Sequence, residues 1–88
     1  MMVMSRTKAV YKVLNSKGRF FTIKWVAMDG KHRIANCKMR RKDVDKVING
    51  DKIFGHITIY DVNKLRFRTV DARKITYLSI DHNKYKIK

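Results

Sequence analysis

The stretch Phe20–Met39, FFTIKWVAMDGKHRIANCKM, decides how this chain is read. It splits into two alternating runs about Asp29-Gly30, a pair that tolerates the positive φ angles a two-residue type I′ turn needs. The expectation is therefore a β-hairpin turning at Asp29-Gly30. Side chains of a strand alternate between its two faces, so Phe21, Ile23, Trp25 and Ala27 point one way and Phe20, Thr22, Lys24, Val26 and Met28 the other. On the return, Arg33, Ala35, Cys37 and Met39 alternate with His32, Ile34, Asn36 and Lys38. Trp25 is the only tryptophan and lies mid-strand, which marks its face as the core. The rest of the chain has to cover or extend this unit.

Working outward, Ser5–Ser16 (SRTKAVYKVLNS) places Val10, Val13 and Leu14 at helical spacing, with Ser5 as a cap and Gly18 at the stop. Lys8, Lys12 and Lys17 fall on its outer side. Beyond the hairpin, Arg40–Asn49 (RRKDVDKVIN) reads as a second short helix, with Asp43 and Asp45 near its N-terminal dipole and Gly50 at its end. Gly50–Gly55 reads as a loop anchored by Ile53 and Phe54. His56–Val70 is then a second hairpin with its turn near Asn63-Lys64.

The register of that second hairpin has two solutions, and a slip of one residue exchanges its faces. One pairs Tyr60 with Phe67 and Ile59 with Arg68; the other pairs Tyr60 with Arg68 and Ile59 with Thr69. The second is preferred, because it gathers Ile57, Ile59 and Phe67 on the buried side without burying an arginine. It leaves Thr58, Tyr60, Arg66 and Arg68 outside. Asp71–Lys74 (DARK) follows as a turn of 3₁₀ type, Ile75–Ile80 as a strand, and Lys84–Lys88 as a last basic strand. The expected architecture is mainly β (α+β): a small antiparallel barrel of five to six strands, with an N-terminal helix and a short helix between hairpins. One domain is expected over 1–88, with 1–18 a helical extension and 19–88 the barrel.

The run KWVAMDGKHRIANCKMRRKDV, followed by ITIYDVNKLRFRTVDARKI, resembles small SH3-like β-barrel proteins of tailed bacteriophages over about Phe20–Ile80. The shared features are the strand–Asp-Gly–strand unit, the short helix ending at Gly50, the ITIYDV strand and the RTVDARKI turn. The resemblance implies a fold and a phage origin more than an activity, since members of that group mostly have none assigned. The N-terminal extension and the density of Lys and Arg depart from the pattern.

Charge is the strongest compositional signal. Twenty-two Lys and Arg face seven acids, all of them Asp, for a net charge of +15. A compact domain so charged repels itself, and a polyanion is the commonest partner that offsets such charge. Basic residues also interleave with aromatic or β-branched ones in Lys24-Trp25, Arg66-Phe67-Arg68 and Lys84-Tyr85-Lys86. Each pair alone is what any solvated strand face shows; their accumulation with so few acids points to nucleic acid. The candidate contacts are Arg66, Arg68, Tyr60, Arg40, Arg41, Lys42, Lys24 and Lys38. The cations would neutralise phosphates, Tyr60 would stack on a base, and the Arg40-Arg41-Lys42 cluster would open a helix.

Other chemistry has little support. There is no Glu, so a carboxylate pair has to be Asp–Asp, and Asp43 and Asp45 do not face each other on a helix. His32, Cys37, His56 and His82 lack the spacing of a zinc site. No Walker or GxGxxG run occurs, and a lone Cys37 in an alternating strand reads as a small buried hydrophobe. The expectation is a non-enzymatic protein without cofactor or metal that binds nucleic acid, DNA more than RNA. The rival is a phage protein that binds and modulates a host protein through its basic surface. No apolar run suits a membrane span, and the apolar stretch of MMVMSRTK is too short for a signal peptide, so the cytoplasm is the expected compartment, that of a bacterial host if the chain is phage-encoded as the resemblance implies.

Overall fold

The computed structural model describes residues 1–39, 48–49, 52–53 and 55–88. In chain order they form β1 (Met2–Met4), α1 (Arg6–Leu14), β2 (Phe21–Val26), β3 (His32–Lys38), β4 (Ile48–Asn49), β5 (Lys52–Ile53), β6 (His56–Asp61), β7 (Arg66–Asp71), a 3₁₀ turn (Ala72–Lys74), β8 (Ile75–Ile80) and β9 (Asn83–Ile87). Seven strands make one sheet in the order β1-β9-β8-β2-β3-β6-β7, and β4 pairs with β5 separately. The protein is thus a small, mainly β domain, with principal extents of 32 × 30 × 29 Å. No helix among the described residues is long and apolar enough to cross a membrane.

The alternation in β2 and β3 delivers the expected core. Phe21, Ile23 and Trp25 are buried opposite Cys37, Ala35 and Arg33 respectively, and Ile80, Leu78 and Ile75 of β8 meet the same three from the other side. Between Lys24 and Trp25 the β2–β8 register shifts by one residue, which absorbs Thr76. This bulge turns Ile75 and Leu78 into the core and leaves Tyr77 facing outward, beside Lys24. The helix α1 covers the core with Ala9, Val10 and Val13. Ser5 caps it, its hydroxyl accepting from the Lys8 amide at 3.2 Å.

Several expectations need correction. The β2–β3 connection is not type I′: Gly30 has φ +80°, whereas Asp29 is not among the residues with positive φ. The Gly30 amide donates to the Ala27 carbonyl and the Ala27 amide to the Lys31 carbonyl, both at 2.9 Å. Those bonds close a three-residue loop, a type I turn followed by a left-handed glycine, which also suits Asp-Gly. The described residues hold nine strands rather than five or six, and the main sheet is not wholly antiparallel, because β1 pairs parallel with β9. Of the helix expected over 40–49, Ile48–Asn49 is strand, and Lys52–Ile53, expected in a loop, is its partner. Residues 40–47, Gly50 with its expected helix stop, Asp51 and Phe54 lie outside the described residues.

The second hairpin takes the register that was not preferred: Ile59 opposite Arg68, Tyr60 opposite Phe67, Asp61 opposite Arg66. Ile57 and Ile59 are buried as expected, but Val70, opposite Ile57, joins them in place of Phe67, which is 44% exposed on the outer side. Arg66 and Arg68 share the inner face with the isoleucines, so they stand on the side opposite Tyr60. Burying an arginine near the core is tolerated here because a buried carboxylate, Asp61, sits beside it.

Glycine at 30 is required by its backbone angle, not by crowding, since a Cβ there would meet nothing within 4 Å. Gly30→Val should cost about 1–2 kcal/mol in urea unfolding, and Gly30→Asn distinctly less, because Asn visits the left-handed region readily. Equal effects of the two would contradict the left-handed loop.

Candidate nucleic-acid interface

The acids among the described residues are all taken by arginine. Asp29 pairs with Arg33 at 3.1 Å, Asp61 with Arg68 at 3.6 Å, Asp71 with Arg73 at 3.0 Å, and Asp81 with Arg19. No lysine among the described residues has an Asp partner. The fork geometry of guanidinium suits carboxylates better than a point-like ammonium does, so the uncompensated charge of this protein sits largely on its lysines.

These pairs do different things. The Arg73 side chain, hydrogen-bonded to Asp71, holds that carboxyl below the usual carboxylate range. Stability from this pair is present above the ordinary carboxylate pKa and is lost as pH falls through the lowered one. Asp61 is 2% exposed and also accepts from the amides of Asn63 and Lys64, each at 3.1 Å. Its partner Arg68 lies over the Trp25 ring, guanidinium carbon 5.3 Å from the centroid, with only 17% of its side chain exposed. Arg68 is therefore engaged within the fold by Asp61 and Trp25. Nearby Cys37 is fully buried, and burial, with the charge of Asp61 adding to it, pushes its thiol up to about 12; it packs as a hydrophobe.

The opposite face of the sheet has another character. Strand register lines up Val3, Lys86, Tyr77, Lys24 and Ile34 as one row running from β1 to β3. The neighbouring row is Lys84, Ser79, Thr22 and Asn36. Lys24 places its ammonium 4.7 Å from the Tyr77 ring centroid, and Lys38 places its own 5.5 Å from that of Phe20. Lys38 stands opposite Tyr60, which stands opposite Phe67, the two rings meeting edge to face at 5.1 Å. Cation–π contacts of this kind contribute only about 0.5–1 kcal/mol at exposed sites, enough to orient a lysine that has no acid to hold it.

Of the residues named from sequence, Lys24, Lys38 and Tyr60 thus share the outer face. Arg66 and Arg68 do not join them, and Arg40, Arg41 and Lys42 lie outside the described residues. The outer face adds Tyr77, Lys84, Lys86 and Phe20, which were not among the candidates. Alternation in KYKIK pointed to Lys84 and Lys86; Tyr77 could not be placed without knowing the bulge in β8.

A comparison of the chain with protein-family models, curated proteins and solved structures finds no match.

The Arg68–Asp61 pair makes a testable claim about the fold. Arg68→Ala leaves a carboxylate buried without its counter-charge and uncovers Trp25, and should cost about 3 kcal/mol in denaturant unfolding. Adding Asp61→Asn to it should restore part of that loss. A double variant as unstable as the sum of the two singles would mean that the pair is not coupled.

Proposed function

We propose that this chain binds nucleic acid, DNA more than RNA, chiefly through phosphates laid against the outer sheet face. The observation that carries the reading is the row Lys86–Tyr77–Lys24, with Lys84 and Lys38 beside it, on a face whose lysines have no acid partner among the described residues, where the aspartates pair with arginines. Lys86 and Lys24 stand two strands apart in this row, about 10 Å at the usual strand separation, and with Lys84 and Lys38 they form a broad cationic surface rather than a single point contact. Such a surface suits a backbone that carries a charge at every nucleotide.

The same proposal takes the sheet as an SH3-like barrel of the phage type that the sequence resembles, acting without catalysis in a bacterial host's cytoplasm. A host protein as partner is the second reading. It is favoured by Val3 and Ile34, 59% and 60% exposed at the two ends of the cationic row, which offer apolar contacts a phosphate backbone does not use.

Salt separates the two. Binding through phosphates weakens log-linearly as salt rises, whereas an apolar protein interface changes little. Lys24→Ala with Lys86→Ala should weaken binding to any labelled duplex or single strand and flatten the salt slope by about two units, one per lost contact. Arg68→Ala, on the other face, should leave the slope unchanged in whatever fraction folds. Affinity no better than about 100 μM at physiological salt is what any basic protein shows. That result, or an unaltered slope in the double variant, would contradict the reading and favour the protein partner.

A further inference from the structure

A shallow groove of about 530 Å³ opens beside the cationic row, where Phe20, Thr22, Asn36, Asn63, Ser79 and His82 converge between the 62–65 and 81–82 turns. Its size falls in the range of small-ligand sites, and its walls combine one large ring with several hydrogen-bonding groups. Phe20 is 65% exposed, with the Lys38 ammonium beside its ring. The Asn36 carbonyl oxygen accepts from the Thr22 hydroxyl at 2.6 Å, so the Asn36 amide N–H groups are left without a bond among the described residues. Asp81 also borders the groove, but its carboxylate is held by Arg19. Lys38, over the Phe20 ring, and Lys84, opposite Ser79, flank the opening with positive charge.

We propose, resting on the nucleic-acid reading, that this groove takes one unstacked base of a single-stranded nucleic acid. The base stacks on Phe20, its edge accepts from the Asn36 amide, and the phosphates on either side lie on Lys38 and Lys84. A duplex cannot present a base this way without unpairing it, so the site selects single strands. Stacking platforms of this kind combine with cationic tracks wherever proteins hold single strands.

The test compares a thymidine oligomer of about 20 nucleotides with an abasic oligomer of equal length, which keeps every phosphate and removes every base. The native protein should bind the thymidine strand about tenfold more tightly than the abasic one, and more tightly than a duplex of the same length. Phe20→Leu, which keeps apolar bulk and loses the ring, should bring the two single strands close together while the salt slope stays. Equal affinity of the native protein for thymidine and abasic strands, with a steep salt slope, would overturn the groove and leave the phosphate reading intact. Failure of both strands to bind more tightly than about 100 μM would overturn both.

Discussion

The buried carboxylate of Asp61 decides which side of the β6–β7 hairpin faces outward. It sits at the end of β6, 2% exposed, and collects the Asn63 and Lys64 amides at the start of the turn. A charge in that position needs a cation on the same face, and Arg68 supplies it across the hairpin. With Arg68 inside, alternation sends Phe67 and Tyr60 to the other side. The aromatic content of the outer face thus follows from a demand made within the core.

The partition of charge has the same origin. Arginines pair with the described aspartates, and the pairs brace turns: Asp29 the β2–β3 loop, Asp71 the 3₁₀ turn, Asp81 the β8–β9 turn. Exposed pairs like these add little stability one by one, but each offsets one of the described aspartates locally. The lysines among the described residues have no such offset. On the outer sheet face Lys24 and Lys38 lie against the rings of Tyr77 and Phe20.

Much of the fold was legible in the chain. Period-two alternation identified the buried faces of β2 and β3, helical spacing found α1 with its Ser5 cap, and Asp71-Ala72-Arg73-Lys74 marked the 3₁₀ turn. The parallel strand β1 was not legible: three residues, Met2–Met4, carry no periodic signal, and their partner lies at the other end of the chain, Met2 opposite Tyr85. The β6–β7 register was misjudged for a definable reason. Avoiding a buried arginine is sound only when no buried acid stands ready to receive it, and Asp61 is such an acid. That one slip carried Arg66 and Arg68 onto the wrong face and misplaced a quarter of the candidate contacts. Lys24 and Lys38 lie on the face expected of them, because the first hairpin's alternation left no ambiguity.

The most direct measurement is a titration of the isotope-labelled protein with a single-stranded oligonucleotide, following backbone amide NMR signals at low salt. If the outer face is the interface, the largest shifts fall on Phe20, Thr22, Lys24, Asn36, Lys38, Tyr77, Ser79, Lys84 and Lys86, and raising the salt reverses them. Shifts gathered instead around Arg33, Arg68 and Trp25, or spread evenly over every exposed lysine including those of α1, would contradict the account.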